Sequence, residues 1–134
     1  MEKILIEKLI KKAIEMINFS YAPYSNFHVG AALLTSEGEI YTGCNIENAA
    51  YGPSNCAERT AIFKAVSEGK KEFEAIAVVG EKNGKIENFC PPCGVCRQVL
   101  AEFCKKDFEI VLAKSTNEYK IMTLEQLLPE SFSL

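Results

Sequence analysis

The chain has 134 residues, 48% of them hydrophobic, which is enough for one domain of ordinary size with a buried core. Asp and Glu total 18 against 15 Lys and Arg, a formal net charge of -3, so no global positive field is available to hold long nucleic acid or an anionic membrane surface. Cysteine occurs six times and histidine once, at His28, so a transition metal held here must rest mainly on thiolates, and two-histidine zinc helices are excluded.

Leu5, Leu9, Ile10, Ala13, Ile14 and Ile17 recur at three-and-four spacing with charged residues between them, which predicts an amphipathic first helix. The charges at Glu2, Glu7, Lys8, Lys11 and Lys12 are incompatible with a secretory leader, and no run reaches membrane-spanning length. The expected compartment is therefore the reducing cytoplasm, where cysteines serve as metal ligands, catalytic groups or inert core sooner than as disulfides. Tyr21 to Asn26, with Pro23 inside it, breaks the helix. Phe27 to Leu34 and Glu39 to Cys44, joined through Ser36-Glu37-Gly38, read as an antiparallel hairpin.

Asn45 to Asn55 has turn composition, and from Ala57 helical spacing resumes through Ala61, Ile62, Ala65 and Val66 as far as Gly69, with Ser54 or Asn55 expected as the cap. Ala75 to Gly80 reads as a strand, Val95 to Cys104 as a third helix, Phe108 to Ala113 as a strand and Tyr119 to Met122 as a weaker one. Thr123 with Gln126 three residues later has the form of a capping box for a last short helix. The expected fold is a single α/β domain over 1–134, a three-layer α-β-α arrangement around a mixed five-stranded sheet. In such a sheet the helices opening near Cys56 and near Cys96 can start at the same edge, bringing distant cysteine segments together.

Cys93 and Cys96 form a CxxC pair, whose spacing lets two sulfurs reach one ion. Cys90 and Cys93 have the same spacing, so spacing alone does not separate the three. The turn into the helix, whose positive end stabilises thiolates, favours Cys93 and Cys96 and leaves Cys90 as a bystander. Cys56 at another helix start supplies a third sulfur, and a three-thiolate site keeps one position open for water where a structural zinc site would fill all four. Glu58 follows Cys56 in the first helical turn, where a carboxylate facing that opening can act as general acid and base. Three thiolates and Zn2+ sum to about -1, which weakens Lewis acidity. Two helix N-termini and the neighbouring Arg59 can offset that charge.

Cys56-Ala57-Glu58 followed by Pro92-Cys93-Gly94-Val95-Cys96-Arg97-Gln98 resembles the zinc site of the small cytidine deaminases. The likeness extends over Ser25 to Leu33, Gly43 to Ala49, Cys56 to Glu68 and Leu127 to Phe132. It implies a cytidine deaminase-like fold with zinc on Cys56, Cys93 and Cys96, Glu58 as proton shuttle and Arg59 tempering the thiolates. It further implies that Asn45 and Glu47 bind the ribose 3′-hydroxyl, Phe27 walls the base pocket and the Ala57 N–H meets the pyrimidine O2. Tyr51 and Phe132 fall on aromatic positions that reach a neighbouring subunit's pocket, which implies a homotetramer with shared active sites. The expected reaction is hydrolytic deamination of free cytidine and 2′-deoxycytidine in pyrimidine salvage. The alternatives are a related aminopyrimidine nucleoside such as blasticidin S, or a structural zinc module without chemistry. Cys44 and Cys104 fit core or near-surface thiols.

Overall fold

The computed structural model describes residues 1–134. Its elements are α1 (Lys3–Met16), a 3₁₀ turn (Ile17–Phe19), β1 (Phe27–Thr35), β2 (Ile40–Cys44), α2 (Ala57–Ser67), β3 (Phe73–Lys82), α3 (Gly94–Phe103), β4 (Glu109–Ala113), β5 (Tyr119–Thr123) and α4 (Leu124–Leu127). The strands form a 5-stranded sheet in the order β2-β1-β3-β4-β5. β1 runs antiparallel to both β2 and β3, β3 pairs parallel with β4, and β5 closes the far edge antiparallel.

The pleat sorts the central strands onto two cores. Val29, Ala31 and Leu33 of β1, Ile76 and Val78 of β3, and Ile110 and Leu112 of β4 pack with Ala61, Ile62 and Ala65 of α2 and Leu100 of α3. The alternate residues Ala32, Leu34, Ala75, Ala77, Val79, Val111 and Ala113 pack with Ile6, Leu9, Ile10 and Ala13 of α1. Successive side chains point to opposite faces, so a strand covered by helices on both sides must be apolar almost throughout. The expected three-layer arrangement and mixed sheet are therefore present.

Some boundaries differ from the sequence reading. β3 runs from Phe73 to Lys82, beyond Ala75 to Gly80, because its backbone pairing with β1 continues through the polar residues Glu81 and Lys82. The N-cap of α2 is Cys56, not Ser54 or Asn55, and its side chain makes no capping hydrogen bond. The Asn55 amide is instead turned to the Thr60 hydroxyl, 3.1 Å away. The Thr123–Gln126 capping box is formed as expected.

β2, β3 and β4 share one direction, since β1 is antiparallel to its two neighbours. The helices that follow β2 and β3 consequently start at one edge of the sheet. Close approach of α2 to β2 depends on Gly43. A Cβ there would lie 2.5 Å from the Ala57 carbonyl oxygen and 2.6 Å from the Ala61 nitrogen, both backbone atoms.

Candidate active site

The two helix starts carry the sulfurs. Cys56 and Cys93 are the N-caps of α2 and α3, and Cys96 lies in the first turn of α3. The Sγ atoms of Cys56, Cys93 and Cys96 all lie within 4.8 Å of one another, and Cys56 Sγ is 3.7 Å from Cys93 Sγ. A tetrahedral zinc with bonds of about 2.3 Å separates its sulfur ligands by roughly 3.8 Å, so the donor type and spacing fit zinc. The cluster is graded from exposed Cys93 through half-buried Cys56 to fully buried Cys96, so its Cys93 side faces solvent.

Cys90 is not part of this cluster. It packs with Phe27 against Gly80, where a Cβ would lie 2.7 Å from the Phe27 ring and 2.9 Å from Cys90 Cβ. Burial, with the Glu58 carboxylate nearby, pushes the Cys90 thiol up to about 12.

Arg59 reaches back along the first turn of α2 and its Nη2 donates to Cys56 Sγ at 3.2 Å. The shared proton of Cys96, opposed by burial and reinforced by Arg59, draws the Cys56 thiol down to about 5, while the bond it gives to Cys56 and burial raise Cys96. Burial disfavours the charge on Arg59, but its bonds to Cys56 and Cys96 outweigh this and its pKa is raised. The guanidinium stays cationic beside the sulfurs. On the opposite side of the loop, Arg97 Nε donates to the Pro92 carbonyl at 2.7 Å and its Nη1 to the Leu127 carbonyl at 2.7 Å, fixing the turn that delivers Cys93.

Glu58 is only 4% exposed, two residues beyond Cys56. Burial, partly countered by its own backbone N–H and augmented by the Cys56 thiolate, pushes its carboxyl up to about 7. A carboxyl with that value exchanges protons readily near neutrality. Because Cys56 does not cap the helix with its side chain, the Ala57 N–H at the start of α2 remains available as a donor.

Asn45 and Glu47 stand on the irregular segment after β2. Asn45 Oδ1 accepts from the Ser20 hydroxyl and from the Val29 N–H at 2.8 Å, and its Nδ2 donates to the Phe27 carbonyl at 2.8 Å. Glu47 Oε1 accepts from the Tyr24 N–H at 3.0 Å and the Ser25 N–H at 3.1 Å, and Oε2 accepts from the Ser25 hydroxyl. An amide has two donors and two acceptor sites, and a carboxylate about four acceptor sites. What is left over is one N–H on Asn45 and about one lone pair on Glu47. One donor and one acceptor are the complement of a hydroxyl group.

Tyr51 is 78% exposed with a φ of 33°, and it borders a cavity of 290 Å³ shared with Tyr24, Ser25, Glu47, Asn48 and Ser54. Phe132 is 72% exposed near the end of the chain. Neither aromatic ring is buried within its own chain. Ser20, Ser25 and Lys82, which the sequence reading did not single out, enter the hydrogen-bond network around Asn45 and Glu47.

Three sulfurs at the shared start of two helices, beside a buried carboxyl, give this α/β fold the donor set of a three-thiolate zinc centre with a carboxyl next to it. Residues 3–112 match the family described as the cytidine and deoxycytidylate deaminase zinc-binding region. The chain belongs to this cytidine deaminase family, and its cofactor is zinc. Cytidine deaminase of Sporosarcina psychrophila is 49% identical over 128 residues, covering 96% of this chain and 91% of that protein. Cytidine deaminase of Halalkalibacterium halodurans is 48% identical over 127 residues, covering 95% and 93%. The 1.6 Å crystal structure of cytidine deaminase from Burkholderia pseudomallei superposes with a TM-score of 0.84 at 47% identity, covering 93% of this chain and 97% of that one. No helix is long and apolar enough to cross a membrane.

Proposed function

We propose that residues 1–134 act as one catalytic domain that deaminates cytidine and 2′-deoxycytidine to uridine and 2′-deoxyuridine, releasing ammonia, in cytoplasmic pyrimidine salvage. The observation that carries this reading is the convergence of Cys56, Cys93 and Cys96 beside Glu58, which is 4% exposed. Zinc on those sulfurs supplies the Lewis acidity that makes water a nucleophile near neutral pH.

The rest of the work falls to this chain's own groups. Glu58 accepts a proton from the attacking water and gives it to ring N3 as the oxygen adds to C4. The same carboxylate then carries the remaining hydroxyl proton to the amino nitrogen, which departs as ammonia while the C4 carbonyl forms. Arg59, 3.2 Å from Cys56 Sγ, withdraws negative charge from the thiolates. The Ala57 N–H donates to the pyrimidine O2, and the Phe27 ring walls the base. The spare N–H of Asn45 and the spare lone pair of Glu47 receive the ribose 3′-hydroxyl. Exposed Tyr51 and Phe132 reach the pocket of a neighbouring subunit, so the working form is a homotetramer with shared active sites.

An absorbance assay with cytidine, repeated after zinc chelation and after zinc is returned, tests the reading. Turnover that disappears and reappears with the metal is the expected result. Turnover of blasticidin S but not of cytidine would move the assignment to that nucleoside. A fully zinc-loaded protein inert toward both would be a structural zinc module.

A further inference from the structure

Ser25 and Lys82 stand outside the metal centre, yet both act on the carboxylate of Glu47. Ser25 grips both carboxylate oxygens, its N–H 3.1 Å from Oε1 and its hydroxyl on Oε2. The Ser25 oxygen also accepts the Phe27 N–H at 3.0 Å. That bond occupies an acceptor site and leaves the single hydroxyl proton for Glu47. A carboxylate on a half-exposed side chain otherwise rotates broadly about its last torsion. With the Tyr24 N–H at 3.0 Å added, its plane is fixed and about one acceptor direction is left for a ligand.

Ser25 itself sits on an exposed loop and needs an anchor. Lys82 Nζ donates to the Ser25 carbonyl at 2.6 Å, from the end of β3 where Lys82 is in register with Phe27. The neighbouring residues repeat the tie, with Asn26 Nδ2 donating to Asn83 Oδ1 at 2.6 Å. Asn26 and Asn83 both take left-handed backbone, at φ 54° and 52°, a conformation asparagine tolerates better than most residues. The turn after β3 and the turn before β1 are thus clamped side chain to side chain and side chain to backbone.

We infer that Ser25 is a positioning residue that aims the Glu47 carboxylate at a single substrate hydroxyl, and that Lys82 holds Ser25 in that pose. The inference rests on the reading of Asn45 and Glu47 as the sugar-hydroxyl site. Its consequence is selectivity. Loss of the Ser25 hydroxyl frees Oε2 to swing away from the sugar without touching the groups that move protons.

The experiment uses the zinc-loaded full chain with cytidine and 3′-deoxycytidine as paired substrates. For Ser25→Ala the KM for cytidine rises about tenfold, as for loss of a hydrogen bond to a charged group, while kcat stays within about twofold. The KM for 3′-deoxycytidine does not change, so discrimination between the substrates falls about tenfold. Ser25→Thr, which keeps the hydroxyl, restores most of it, and Lys82→Met shifts discrimination the same way by about threefold. Equal effects on both substrates, a change in kcat alone, or wild-type behaviour of Ser25→Ala each overturn the inference. Glu47→Ala separates the two levels of the argument. If it discriminates as the wild type does, the sugar-hydroxyl reading fails; if it loses discrimination while Ser25→Ala keeps it, only the positioning role fails.

Discussion

Replacing Glu58 by glutamine keeps the length and nearly the volume of the side chain but removes the group that, in the proposed mechanism, takes and returns a proton. The side chain is 4% exposed in the first turn of α2, so the substitution leaves no cavity and bulk water is too scarce there to substitute for the carboxylate. General acid/base assistance is worth about a hundredfold to ten-thousandfold per proton transfer, and the proposed mechanism assigns Glu58 two transfers in one cycle. The combined loss in kcat is expected at about ten-thousandfold or more, equivalent to roughly 5.5 kcal/mol of barrier. Zinc content is unchanged, because the sulfurs of Cys56, Cys93 and Cys96 are untouched. The KM for cytidine stays within about threefold, because Asn45 and Glu47 keep their networks. Metal analysis of the purified variant beside a steady-state absorbance assay checks all three quantities. A variant with full zinc and kcat within about tenfold of the wild type would remove Glu58 from the mechanism.

Three further outcomes are expected. Cys93→Ala loses zinc on dialysis and Cys90→Ser retains it, as read by metal analysis, because Cys93 is within the sulfur cluster whereas Cys90 packs on Gly80; the reverse pattern would reassign the ligands. Gly43→Ala destabilises the fold by about 3 kcal/mol in urea or thermal unfolding, because the new methyl meets backbone of α2 at 2.5 Å and 2.6 Å and only a shift of the helix relieves it. An unfolding midpoint equal to the wild type's would show that α2 does not seat on β2 as described. The Ser25 hydroxyl, opposed by burial and helped by the Ser25 and Tyr24 N–H groups, holds the Glu47 carboxyl below its usual 4.5. A lowered carboxylate value means the ionised form persists as pH falls and is lost only on passing the folded value. The ratio of the KM for 3′-deoxycytidine to the KM for cytidine is therefore level from about pH 8 to about pH 5 and falls only below that. A ratio already falling near pH 6 would contradict it.

Much of this architecture was legible because periodicity reports burial directly. The three-and-four spacing from Leu5 to Ile17 marks the face of α1 that packs on Ala32, Leu34 and Val79. The pairing of Cys56-Ala57-Glu58 with Cys93-Gly94-Val95-Cys96 marked the metal site, because donor type and helix position both constrain chemistry. The cap of α2 was misplaced because cysteine is not a preferred capping residue, so a rule built on Ser and Asn preferences passes over it. The ends of β3 were missed because Glu74, Glu81 and Lys82 interrupt the apolar run while the backbone goes on pairing. The clamp from Lys82 through Ser25 to Glu47 left no pattern at all. Its partners are up to 57 residues apart, and side-chain bonds to backbone across loops carry no period.

The placement of the sulfurs also dictates which parts of the chain a bound ion would join. Cys93 and Cys96 are neighbours on one turn, but Cys56 belongs to the preceding crossover, and β3, which lies between them in the chain, is a central strand of the sheet. Zinc held by all three sulfurs would therefore cross-link two connections that are distant in sequence and adjacent in space, so that detachment of either one would cost the ion part of its grip.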